Sequence, residues 1–235
     1  MHSSPLATAN QPAHENPALL HHFATEEQQK NAASLGMWVF LATEIMFFGG
    51  MFCAYLIYRY WYFGDFGAGS QSLSVPLGGT NTAVLICSSL TVALAVRAAQ
   101  LGKPTTIVVC LILTMLLGLV FLGIKGIEYH DKFVEHHVPG ASFNFPGHIP
   151  GHPDVPINQQ HAQIFFSLYF IMTGLHALHM IVGVGLFAVI TYYAMRKRYG
   201  PHYYTPVEMA GLYWHFVDII WIYLFPLLYL IDRHK

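Results

Sequence analysis

Apolar residues run along this chain in long blocks separated by short polar punctuation. Five blocks are long enough to cross a bilayer: roughly Leu35 to Tyr62, Gly78 to Ala99, Thr105 to Glu128, Gln163 to Met195 and Val207 to Ile231. A span needs ~20 residues, each rising ~1.5 Å. Lipid offers no hydrogen bonds to unpaired backbone, so each block must close its own as a helix. The pattern predicts an all-α integral membrane bundle of five transmembrane helices over residues 31–235, with residues 1–30 as a polar N-terminal arm. No basic stretch followed by an apolar one opens that arm, so it does not read as a cleaved signal.

The polar punctuation sets the topology. Gln100-LGKP-Thr105 is too short for anything but a helical hairpin, and Arg97 and Lys103 flank it. The link after the fourth block carries Arg196, Lys197 and Arg198, whereas the long connection from about 129 to 161 carries only Lys132. The positive-inside rule puts the two basic links and the N-terminus in the cytoplasm, although Arg59, Arg233 and Lys235 fall on the other side. The long non-cytoplasmic loop is rich in Pro and in His130, His136, His137, His148, His152 and His161. It is expected as irregular structure over the bundle or a partner. Its histidines have no metal-ligand spacing with Cys or carboxylate, and solvated loop histidines are the simpler account.

Composition agrees: 54% of 235 residues are hydrophobic and 10% are Asp, Glu, Lys or Arg. A net charge of −1 leaves no basic face for nucleic acid. Cys53, Cys87 and Cys110 lie inside apolar blocks without CxxC spacing, as packing residues do. Internal repeats and broken helix pairs of the transporter kind are not evident.

Three polar groups at membrane depth carry the chemistry. Glu44 sits in the middle of the first block, about eight residues in, with Phe47 and Phe48 on its face at i+3 and i+4. An acid in hydrocarbon must be paired, hydrated or protonated. Glu44 is therefore either a protonated acid holding a neighbouring helix or a group that exchanges protons. His176 and His179 share a face of the fourth block, and His215, Asp218 and Trp221 a face of the fifth. Either of the first two histidines can reach toward Asp218, Glu44 or Glu128. An interhelical polar network that fixes helix register accounts for all of them. Two histidines one turn apart cannot ligate opposite faces of one haem, so nothing in the spacing requires one.

The segments Glu44-IMFFGGMFCAY-Leu56, Gly174-LHALHMIV-Gly183 and Tyr213-WHFVDIIWIYLF-Pro226, with Lys125-GIEYHDKF-Val134, resemble in that order the signature segments of subunit III of the haem-copper respiratory oxidases. The resemblance covers residues 30–235. It implies the five-helix form similar to that of bacterial oxidases, without the first two helices of the seven-helix mitochondrial form, in a bacterial plasma (inner) membrane. It also implies a non-catalytic subunit with no redox centre or metal of its own, beside a catalytic subunit I with haems and copper and a copper-bearing subunit II. Such a complex reduces oxygen to water with electrons from cytochrome c and pumps protons, and subunit III supports proton uptake and stability. Glu44 matches the family glutamate that reacts with hydrophobic carbodiimides. Membrane lipids are further expected partners, but no lipid site carries over.

Other classes remain on the residues alone: subunit III of a quinol oxidase, an accessory protein of nitric oxide reductase, a membrane b-type cytochrome using His176, His179 and His215, and a proton-coupled transporter.

Overall fold

A computed structural model describes residues 23, 25–140, 142–145, 148–149, 152–201 and 203–231. Most of the expected arm, together with Gly147, Arg233 and Lys235, lies outside the described residues, and the side chains of His148 and His152 are not described.

Six helices are formed among the described residues: α1 (Glu26–Trp61), α2 (Phe63–Gln71), α3 (Val75–Gln100), α4 (Pro104–Val134), α5 (Gln159–Met195) and α6 (Thr205–Tyr229). All except α2 are long and apolar enough to span a membrane. Their bounds outrun the apolar blocks, because a helix does not stop where lipid stops. Thr25 Oγ1 accepts from the Gln28 amide at 3.1 Å and Glu26 and Glu27 occupy the positive end of α1, so it starts nine residues ahead of Leu35. Lys132 Nζ reaches Glu135 Oε2 at 2.6 Å and the Ser72 carbonyl at 2.8 Å, carrying α4 past Glu128. Proline in the first turn of α3, α4 and α6 fits where no amide partner is needed.

The long connection is thus shorter than 129–161, and it is not wholly irregular. It contains an antiparallel pair, β1 (His148–Ile149) and β2 (His152–Pro156). His137 stacks on Phe166 of α5 at 5.1 Å, and burial lowers its imidazole pKa below the ordinary value. The buried helix α2, absent from the expected pattern because its FGDFGAGSQ sequence is short and weakly apolar, ties this end together. Asp65 binds His161 Nδ1 at 2.7 Å and the Asn158 amide at 3.0 Å, at the start of α5.

Helices α3, α4, α5 and α6 pack in a closed ring, each against the next, and α1 lies outside it against α5 and α6. Only Leu41, Phe48 and Tyr55 of α1 are buried, seven residues apart, a single seam. At one end Lys30 of α1 bonds Tyr204 at 3.2 Å, and Gly102 of the α3–α4 turn approaches Pro201 of the α5–α6 link. Gly102 has φ +66°, a left-handed conformation natural to glycine. Both basic links and the start of α1 therefore share one end, with the long connection at the other.

Trp214 fills the ring's centre. Its indole Nε1 donates to Ser88 Oγ of α3 at 3.0 Å, and its ring lies between Gly118 of α4 and Gly183 of α5. A Cβ on Gly183 would meet the ring at 2.8 Å and one on Gly118 at 2.9 Å, so the indole has no direction of retreat. Gly183→Ala is expected to destabilise the bundle by about 1–3 kcal/mol through overpacking. Gly185→Ala, where a Cβ meets nothing within 4 Å, should not. Thermal unfolding of the two variants in detergent checks the difference.

Candidate functional site

Glu44 lies 18 residues from Glu26 and 17 from Trp61, at the midpoint of α1. The α1 seam turns it toward α5, where its Oε2 is 3.2 Å from His179 Nε2. Of the three partners open to the histidines, this is the one that forms. The pair is mostly covered, with side chains 19% and 17% exposed. Phe48 supports it edge-on at 5.3 Å from the imidazole, and Tyr213 lies parallel to the ring at 6.5 Å. The expected aromatic wall is only half present: Phe48 is buried, while Phe47 and Met46 face outward.

The hydrogen bonds limit where protons can sit. His179 Nδ1 is 2.8 Å from the Leu175 carbonyl, which can only accept, so Nδ1 carries a hydrogen. The contact between Nε2 and Glu44 then requires one proton. Either the neutral acid donates to a neutral imidazole, or the imidazolium donates to the carboxylate. Both arrangements have zero net charge, which suits membrane depth.

Glu128 belongs to a separate centre. Lys125 Nζ donates to Glu128 Oε2 at 3.0 Å, to Tyr169 at 3.1 Å and to Tyr229 at 2.9 Å. Both tyrosine hydroxyls donate in turn to Glu128 Oε1, at 2.9 and 2.5 Å. All three ammonium hydrogens are used, and the cluster joins α4, α5 and α6 without opening to the exterior. Sequence reading missed Lys125, Tyr169 and Tyr229 as members. The available signal was a Lys and a Glu one turn apart inside an apolar block, since that spacing lets them pair on one face.

His176 joins no pair. It is 1% exposed between Phe121 and Trp221, at 5.4 and 5.2 Å, and neither ring nitrogen has a hydrogen-bond partner. His215 and Asp218 share a face as expected but do not bond each other. His215 Nδ1 is 2.6 Å from Ser89 Oγ, and the Asp218 carboxyl has no hydrogen-bond partner. Among the described residues no group of three His, Cys, Asp or Glu is placed to hold a metal ion.

The family model for cytochrome c oxidase subunit III matches residues 20–147 and 159–232. The chain belongs to the cytochrome c oxidase subunit III family. It is similar to cytochrome c oxidase subunit 3 of Corynebacterium diphtheriae, 33% identical over 204 residues, 86% of this chain and 89% of the relative. The subunit of Thermostichus vulcanus is 32% identical over 201 residues, covering 85% and 87%. That of Gallus gallus is 30% identical over 202 residues, covering 83% of this chain and 67% of the longer relative. The subunit III match takes in Glu44 and the Lys125–Glu128 pair in its first segment and His176, His179, His215 and Asp218 in its second.

Proposed function

We propose that this chain is the non-catalytic subunit III of a bacterial aa3-type cytochrome c oxidase, a proton-pumping terminal oxidase, and that it supports proton uptake and stability of the catalytic subunit. The observation that carries the reading is the Glu44–His179 pair, which stores one proton at the middle of a membrane helix with no net charge. The proton can pass between the carboxyl and the imidazole with no change in net charge, and its uptake or release leaves a single charge hydrogen-bonded to its partner rather than bare in lipid. In this reading the chain carries no redox centre of its own, and oxygen reduction belongs to partners: subunit I with its haems and copper, and subunit II, which receives electrons from cytochrome c.

The membrane histidines do not suit a haem. His176 is enclosed by aromatic rings and both nitrogens of His179 are occupied, so neither offers a second ligand to pair with His215, whose Nδ1 is bound to Ser89. A b-type cytochrome is disfavoured on that geometry. The test is purification of the native complex through a tag on this chain. Co-migration of a haem- and copper-bearing subunit supports the reading, and a haem retained by the isolated chain contradicts it.

In this reading the N-terminus and both basic links are cytoplasmic, and the connection after α4 is outside. Ser142 is exposed in that connection, and a side chain at Gly200 meets nothing within 4 Å. Ser142→Cys should be labelled by an impermeant maleimide only from the outside and Gly200→Cys only from the cytoplasm. Labelling of both from one side rules the topology out.

A further inference from the structure

The chain leaves α4 through a turn that closes on the helix end. The amides of His136 and His137 bond the Phe133 and Lys132 carbonyls at 3.2 and 3.0 Å. His136 stands at φ +57°, a left-handed conformation that helix ends usually give to glycine. A residue with a Cβ adopts it at a cost, so side-chain contacts must help to hold the turn. Of residues 135–140, His137 alone is fully buried. The turn hangs on one imidazole.

That imidazole sits in an apolar slot. Phe145 of the connection and Phe166 of α5 flank it with ring centroids at 5.0 and 5.1 Å, and the residue is 7% exposed. The charged groups facing it, Lys132 and Glu135, both come from α4. Glu135 Oε2 is 3.0 Å from His137 Nδ1 but makes no hydrogen bond with it, and it already accepts from Lys132 at 2.6 Å. From α5 and from the connection the neighbours are the two phenyl rings, and α2 gives its Ser72 carbonyl to Lys132. A neutral ring fits this slot and an imidazolium does not. Burial, with Lys132 adding to it, outweighs Glu135 and holds the imidazole pKa below the ordinary 6.5. A depressed histidine lends its stability in full above about pH 6.5 and loses it as pH falls toward the folded value.

The other buried-side histidine at this end answers acid differently. His161 Nδ1 meets Asp65 Oδ2 at 2.7 Å, so a proton gained by that ring is matched by a carboxylate and the start of α5 stays fastened. We infer that His137 is an acid-released latch: the neutral ring pins residues 135–140 to α5, and on acidification it leaves the Phe145–Phe166 slot and frees that turn while α2 and α5 remain docked. Under the topology proposed above, on which this role rests, the latch faces the side to which a proton pump delivers its protons. It gives the subunit a sensor of acid there.

Hydrogen exchange of the full chain in its purified complex, read by mass spectrometry on overlapping peptides, tests the latch. Protection of the His136 and His137 amides, corrected for the intrinsic effect of pH, should fall by up to about tenfold between pH 7.5 and 5.5, the change set by an imidazole of pKa ~6.5 in the open turn. Amides at 158–162 should keep theirs. His137→Phe retains a ring for the slot but has no charge to gain, so its protection should be equal at the two pH values. Glu135→Gln should still respond, which separates titration of the ring from titration of the Lys132–Glu135 pair. Constant protection in the wild type, a His137→Phe response equal to wild type, a response lost in Glu135→Gln, or an equal loss at 158–162 each overturns the latch. The two readings fail separately: a pH response together with labelling of Ser142→Cys from the cytoplasm removes the topology, whereas constant protection with the topology upheld removes the latch alone.

Discussion

Lys125→Met is expected to destabilise the bundle by about 3–5 kcal/mol, because it leaves Glu128 buried without its cation. The lysine is 3% exposed and Glu128 is 2% exposed, so water cannot replace the missing ammonium. Glu128→Leu should cost a comparable amount by stranding Lys125, and the two tyrosines cannot neutralise either charge. The double variant Lys125→Met with Glu128→Leu removes both charges at once. It should be less damaged than the sum of the singles by about 2 kcal/mol or more, the coupling expected of neighbours in one network. Thermal dissociation of the subunit from the purified complex gives all three numbers. Strict additivity would show that the pair contributes nothing through its mutual contact.

Glu44→Gln should abolish modification of this chain by a hydrophobic carbodiimide and leave the initial rate of oxygen consumption near the wild-type value. In the modification, a neutral acid gives its proton to a carbodiimide nitrogen while its oxygen adds to the central carbon, so a carboxyl is required. The Gln amide can still donate to His179 Nε2, and Tyr213 still donates to the His179 carbonyl at 2.9 Å, so the local structure should survive. On the proposed role, what is lost is exchange of a proton at the pair. The defect should therefore appear during sustained turnover, as a faster decline of activity or weaker proton uptake. A collapse of the first turnovers, with haems and all subunits retained, would place Glu44 in the oxygen chemistry and end the accessory reading.

The membrane helices were legible in the sequence because spanning length and backbone self-pairing leave one solution for each apolar block. Their ends were not. Thr25 and Asn158 cap helices that extend into water, and hydropathy is blind there. Glu44 was legible as an acid at depth, and His179 as one of several reachable partners. The choice among those partners depends on how α1 is rotated, which Leu41, Phe48 and Tyr55 fix only once α5 and α6 exist to bury them. The spacing of His215 and Asp218 puts them on one face of the fifth block, within reach of each other. Ser89, 126 residues away in the chain, takes the histidine instead, and pairing at that distance leaves no local signal.

The position of α1 outside the ring bears on biosynthesis. Glu44 enters the membrane with the first helix, but His179 is made 135 residues later. At ~5–20 residues per second the ribosome needs roughly 7–27 s to deliver that partner. Lys125 and Glu128 emerge three residues apart and can enter lipid already neutralised, whereas α1 must wait beside the insertion machinery or rest in the bilayer with its acid protonated. Docking of α1 thus becomes a late step of maturation, taken after the four-helix ring has closed.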